Sequence, residues 1–218
     1  IMKTPYSDVE VEMLRDACVT PREKALVSFL FSTGVRRDEV CKVKMQDINL
    51  YERSAIIHGK GGKDRKVYFS ARCEKHLKEY IDSKKYFSEY LFSSTRKPYG
   101  QLGNEALASI IKKVGERSNV QNVHLHRFRH WFGTYMANRG VLLQDLKEMM
   151  GHSKIETTNK YYVSIVVEEK ENVTGNVTPQ SIVGLDLGIK DLVVTEVLKS
   201  KRNIKKITTK TCKTNKMY

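Results

Sequence analysis

The stretch His124-Leu125-His126-Arg127-Phe128-Arg129-His130-Trp131-Phe132, followed by Met150-Gly151-His152 and then Tyr161-Tyr162, most restricts what this chain can fold into. Read on a helix, His126 and Arg129 lie three apart and project from one face, whereas Phe128, Phe132 and Tyr135 fall on a separate apolar stripe. A face that pairs imidazole with guanidinium can hold a phosphate. Arginine presents a planar fork of donors to the non-bridging oxygens, and histidine moves a proton near neutral pH. A tyrosine hydroxyl brought to the same place is a nucleophile. These residues lead us to expect phosphoryl transfer through a covalent tyrosyl phosphate.

Charge points to the kind of partner. The 218 residues carry 39 Lys and Arg against 25 Asp and Glu, a formal net charge of +14, which suits a polyanion such as duplex DNA. The plainer reading of charge alone is a soluble basic protein with no specific partner. A hydrophobic content of 40% suffices for a core of ordinary size in one or two domains. Cys18, Cys41, Cys73 and Cys212 are scattered with no CxxC pair, so neither a disulfide framework nor a zinc ribbon is expected, and a reduced cytoplasmic setting is. No apolar run approaches the roughly 20 residues that span a bilayer, and Ile1-Met2-Lys3-Thr4-Pro5 lacks the apolar core of a signal peptide. With Ile first, the chain is expected to begin inside a longer protein.

Along the chain, Ser7-Asp8-Val9-Glu10 has the form of a capping box, which predicts a helix to about Cys18. Thr20-Pro21 starts a second helix, with Leu26, Phe29 and Leu30 on its buried face and Gly34 as its stop. Arg36 and Arg37 sit just beyond that stop. Ala55-Ile56-Ile57 and Val67-Tyr68-Phe69 flank the glycine-rich tip Gly59-Lys60-Gly61-Gly62-Lys63-Asp64, which reads as a β-hairpin carrying lysines. Helices are predicted at about 71–85, 101–117 and 124–139, with shorter pieces around Leu142–Met150 and Thr157–Val163. The expected fold class is α+β, mainly helical, with one small antiparallel sheet. A charged break at Glu168-Glu169-Lys170-Glu171 and a turn-rich run to Gln180 place a boundary near 170.

Taken together, these residues resemble the tyrosine recombinases of the phage integrase family. Thr33-Gly34-Val35-Arg36-Arg37-Asp38-Glu39-Val40 resembles their first arginine box, and Gly59-Lys60-Gly61-Gly62-Lys63 their hairpin lysine motif. His126-x-x-Arg129-His130 matches their HxxRH box and Met150-Gly151-His152-Ser153 their (L/M)GHS element. Tyr161 lies nine residues after His152, where the family keeps its nucleophile. The elements occur in the family's order over about residues 3–165; the family's amino-terminal DNA-clamping domain lies outside this region.

The resemblance implies that Tyr161 attacks a scissile DNA phosphate to leave a 3′-phosphotyrosine and a free 5′-hydroxyl. Arg36 and Arg129 would stabilise charge on the non-bridging oxygens, Lys60 would protonate the leaving oxygen, and His126 would take the tyrosine proton or hold the phosphate. His152 would hydrogen-bond a non-bridging oxygen. Glu39 would orient a guanidinium, and His130 would support the site. No metal and no cofactor are required. Other readings stay open at single positions. Lys63 shares the tip with Lys60, Tyr162 adjoins Tyr161, and His126 with His130 has a zinc-like spacing; the sequence offers no reason for His124.

The implied partner is double-stranded DNA, bound by a homo-tetramer that pairs two sites, with no membrane. Competing readings are relaxation of DNA in the manner of type IB topoisomerases and a non-catalytic DNA-binding regulator of the same fold. Residues 1–168 are expected to form the catalytic domain and 169–218 a linker and basic tail. In the tail, Val183-Gly184-Leu185-Asp186-Leu187-Gly188-Ile189-Lys190-Asp191 resembles the first strand of RNase-H-like transposon-associated nucleases, in which the Asp binds metal. Too few residues follow for that fold, so the tail reads as a truncated fusion or a chance similarity, Asp186 is not taken as a metal site, and a strand from Ser181 to Gly188 is expected.

Overall fold

Local chemistry sets the helix boundaries in this computed structural model, which describes residues 4–59 and 62–161, and beyond them the backbone of three strands. Helix α1 (Asp8–Asp16) opens on a reciprocal box in which Ser7 Oγ accepts from the Glu10 amide and Glu10 Oε2 accepts from the Ser7 amide. The same device, Thr20 with Glu23 and Pro21 at the first turn, starts α2 (Pro21–Thr33). Gly34, left-handed at φ 57°, ends it. A Cβ at Gly34 would stand 2.3 Å from Phe132 Cδ1, so a glycine is needed both for the turn and for the approach of the later helix.

Beyond Gly34 the chain forms a helix that hydrophobic patterning did not indicate, α3 (Arg37–Lys42). It is only 6 residues long and mostly charged, and Glu39 starts it by accepting from the Arg36 amide at 2.7 Å. Strands β1 (Ile48–Asn49), β2 (Ser54–His58) and β3 (Asp64–Tyr68) make one antiparallel sheet in that order. The hairpin register runs from Ser54 opposite Tyr68 to His58 opposite Asp64.

Helices α4 (Ala71–Ser83), α5 (Asn104–Ser118), α6 (Leu125–Asn138) and α7 (Leu143–Met150) follow, and residues 156–161 are helical. His124, unexplained by the sequence, is the cap of α6, its Nδ1 accepting from the Arg127 amide at 3.2 Å. Phe29, Leu26 and Leu30 of α2 are fully buried and share one hydrophobic cluster with Phe92, Leu77, Leu107 and Phe128 from the surrounding elements. Phe31 packs on Phe128 and Trp131 at ring distances of 4.6 and 4.9 Å. Such pairs contribute about 1 kcal/mol each beyond area burial. The mainly helical fold with one small sheet in this part of the chain is therefore as the sequence indicated.

The chain divides into two units, Ile1–Val166 and Val167–Tyr218. In the second, β4 (Ile182–Val183), β5 (Leu192–Glu196) and β6 (Thr208–Cys212) pair antiparallel in sequence order. The expected strand from Ser181 to Gly188 is thus described only at Ile182–Val183; Asp186 lies outside the described residues. Among the described residues no helix is long and apolar enough to cross a membrane.

Candidate active site

Three arginines from three elements converge on three successive carbonyls at the end of α7. Arg65 of β3 donates from Nε to Met149 at 3.0 Å, Arg129 of α6 from Nη2 to Met150 at 2.6 Å, and Arg36, ahead of α3, from Nη2 to Gly151 at 2.6 Å. The last carbonyls of a helix lack intrahelical partners and carry the negative end of its dipole, so cations gather there. The two carbonyls before them accept amides instead, Lys147 from His152 and Glu148 from Gly151. Gly151 is left-handed at φ 63°, which turns the chain so that His152 follows beside the arginines.

Arg129 also donates from Nη1 to the carbonyl of Gly34 at 2.7 Å and is 4% exposed. Burial, and then the like charge of Arg36, push its pKa down to about 10, so it stays protonated at neutral pH. Glu39 is the buried counter-ion of the group. Both its oxygens accept from Arg65, at 2.9 and 2.7 Å, and Oε1 also accepts from Arg36 Nη1 at 2.9 Å. Burial alone would raise its pKa, but the hydrogen bonds and charge of Arg65 and Arg36 outweigh it and hold the carboxyl at about 2.

Arg36, His126, Arg129 and His152 line one cleft of about 740 Å³, walled on its other side by Ala108, Ile111 and Lys112 of α5. His126 is exposed at its mouth. His152 places Nδ1 2.9 Å from the hydroxyl of Thr158. Burial first, then the charges of Arg129, Arg36 and Arg65, lower its pKa to about 4, so its imidazole is neutral at physiological pH.

The Tyr161 ring lies parallel to the His152 ring, 6.3 Å between centroids at 8°, and edge-on to His130 at 5.2 Å. It is 5% exposed and seated on Gly133, where a Cβ would come within 2.7 Å of Tyr161 Cε1 and Cζ. Burial raises the phenol pKa, while Arg129 and Arg36 draw it back. The Nδ1 of His130 is buried without a hydrogen-bond partner among the described residues, and burial, followed by the charge of His126, lowers this ring's pKa.

Five of the six candidate catalytic residues singled out from the sequence therefore gather here, with Glu39 and His130 against them. The sixth, Lys60, lies outside the described residues, as does Tyr162. Sequence reasoning passed over Arg65 and Thr158. A signal for Arg65 was present: it stands two residues before buried Val67, on the same face of the strand, and pairs with buried Ile57, so that face of the hairpin turns inward, and a charge there needs a partner. Thr158 left no comparable signal. Among the described residues no group of three or more His, Cys, Asp or Glu is placed to hold a metal ion.

Known proteins share both sequence and fold with this chain. Tyrosine recombinase XerA of Pyrococcus horikoshii is 33% identical over 155 residues, covering 70% of this chain and 54% of that protein. Tyrosine recombinase XerC of Bacillus subtilis is 30% identical over 150 residues, 64% of this chain and 48% of that one. The chain thus spans about half the length of these relatives. A crystal structure of XerA recombinase superposes with a TM-score of 0.69 at 28% identity, covering 81% of this chain and 68% of that one. The XerH site-specific recombinase, bound to palindromic difH substrate in a post-cleavage complex, shares the fold with a TM-score of 0.65 at 21% identity, over 78% of this chain and 53% of that one. The phage integrase family model, which spans residues 7–166, takes in the capped α1, the arginine-bound end of α7 and Tyr161 alike, and the chain belongs to that family.

Proposed function

We propose that this chain is the strand-cleaving part of a site-specific DNA recombinase, which cuts and rejoins DNA through a 3′-phosphotyrosine without ATP or metal. The observation that carries the reading is the convergence of Arg36, His126, Arg129 and His152 on one cleft with the Tyr161 ring parallel to that of His152. Tyr161 Oη forms the new bond to phosphorus as the bond to the 5′-oxygen breaks. The phenol proton passes to His126, and Lys60 of the hairpin tip returns a proton to the leaving oxygen. Arg36 and Arg129 retain unused N–H groups for the non-bridging oxygens; one preorganised donor of this kind contributes ~3–4 kcal/mol to a transition state. If the Thr158 hydroxyl donates to Nδ1 of His152, the ring carries its proton on Nε2, and that N–H is the donor to a third phosphate contact.

Residues 1–168 are assigned as the catalytic domain and 169–218 as a linker and basic tail, a division supported by the separation into units at Val166. The partner is double-stranded DNA. Exchange of both strands between two sites needs four nucleophiles, so the working assembly is a homo-tetramer on paired duplexes, in the cytoplasm with the nucleoid.

The test uses nicked suicide duplexes tiled across the DNA that flanks the gene. A covalent protein–DNA band formed by the wild type and lost in Tyr161→Phe supports the reading. Retarded DNA with no covalent band on any duplex overturns it in favour of a non-catalytic DNA-binding regulator.

A further inference from the structure

We propose that Arg65 is a positioning residue for this site, tying the β2–β3 hairpin to Glu39 and to the end of α7 and thereby holding Arg36 and His152 in place. The inference rests on the strand-cleavage reading and adds to it a residue outside the motifs that led there.

Arg65 does not line the cleft, and its side chain is 11% exposed, so it acts through others. Its Nη1 and Nη2 make two parallel bonds to Glu39, and Glu39 uses Oε2 on the Arg36 amide and Oε1 on the Arg36 guanidinium. The same Arg65 reaches Met149 with Nε, two carbonyls before the one that holds Arg36. A Cβ at Gly151 would press on Arg65 Nη1 at 3.0 Å and on Cζ at 3.2 Å, so the absence of a side chain ahead of His152 makes room for this guanidinium.

One planar group therefore fixes α3, α7 and the hairpin relative to one another. Arg65 lies five residues beyond Lys60 in the same hairpin. A lysine, a point charge on a flexible stem, cannot make the fork and the third bond together.

The full 218-residue chain is compared as wild type, Arg65→Ala, Arg65→Lys, Glu39→Gln and the Arg65→Ala/Glu39→Gln double variant. Single-turnover adduct formation on the nicked duplex, duplex affinity and thermal midpoint are read for each. Arg65→Ala is expected to slow adduct formation about 100-fold, the usual consequence of a reacting group displaced by an ångström, with affinity little changed. Arg65→Lys falls between it and the wild type, and the double variant is no slower than the slower single one.

Loss of Arg65 also leaves buried Glu39 with Arg36 as its remaining donor and with Arg129 nearby. Its carboxyl then titrates above its wild-type value, and the rate deficit of Arg65→Ala relative to the wild type is expected to deepen as pH falls. Overturning results are a wild-type rate in Arg65→Ala, effects of Arg65→Ala and Glu39→Gln that multiply, or a pH-independent loss that tracks midpoint and affinity. If Arg65→Ala does not fold, Arg65→Lys decides between the same outcomes through its rate and pH profile. A wild type that forms no Tyr161-dependent adduct removes the strand-cleavage reading itself, a result distinct from unaffected Arg65 variants of an active wild type.

Discussion

The ring of Tyr161 lies against the backbone of Gly133, one helical turn beyond Arg129, so closely that a single methyl group there would stand 2.7 Å from Cε1 and Cζ. A helix-interior alanine is ordinarily preferred over glycine by about 1 kcal/mol. Here that preference meets an aromatic ring that must shift. Gly133→Ala is expected to keep the fold, to bring the Tyr161 phenol closer to its ordinary pKa as burial is relieved, and to slow adduct formation about 100-fold through misplacement of the nucleophile. Ultraviolet titration of the phenol and suicide-duplex kinetics check the two halves; an unchanged rate would show that the tyrosine is not seated there during reaction.

Arg129 holds two backbone carbonyls in addition to its proposed role at the phosphate. Arg129→Ala frees the buried carbonyls of Gly34 and Met150, each costing about 1–3 kcal/mol when left unpaired. Denaturant unfolding should register a loss of about 2–4 kcal/mol, and cleavage should fall about 100- to 1000-fold. Arg129→Lys, which keeps the charge and reaches at most one carbonyl, should recover part of the stability and little of the rate.

His152 predicts a pH dependence of known sign. Its pKa is near 4 in the fold against an ordinary value of 6.5. Between these values the unfolded chain binds a proton that the folded chain excludes, so stability is complete above about pH 6.5 and declines as pH falls toward about 4. His130 shifts the same way. His58, whose pKa Asp64 and Asp47 raise, opposes them, its contribution being lost as pH rises through its folded value. Proton NMR titration should find the His152 ring neutral at pH 6, and His152→Asn should flatten the acid arm of the stability curve.

Thr158 is fully buried, and its hydroxyl reaches His152 Nδ1. Thr158→Val keeps the shape and removes the bond. A loss of about 1 kcal/mol in stability is expected, with a roughly 10-fold slower cleavage if the bond orients the ring, as the outer partner of a functional histidine does. A Val variant with wild-type kinetics would assign Thr158 to packing alone.

Gly151→Ala should strain the left-handed turn by about 1 kcal/mol or more and push on Arg65. Thermal unfolding measures the first effect. A fall in cleavage larger than that caused by a glycine change of equal thermal cost elsewhere measures the second.

By itself the amino-acid sequence determined the hairpin and every longer helix of the first unit, though not the short α3, because Ser7 with Glu10, Thr20 with Pro21 and Glu23, and the glycines at 34 and 151 act on backbone a few residues away. It also marked the candidates for the chemistry, since Arg36, Glu39, His126, Arg129, His152 and Tyr161 stand in motifs of short span. Tertiary structure alone decided the rest. That three guanidiniums share the end of α7, that Arg65 grips both oxygens of Glu39, and that Tyr161 rests on Gly133 depend on contacts between residues 21 to 115 positions apart. Such contacts form where burial withholds water from charges and carbonyls that must then satisfy one another, and no local pattern of residues encodes which partner will be there.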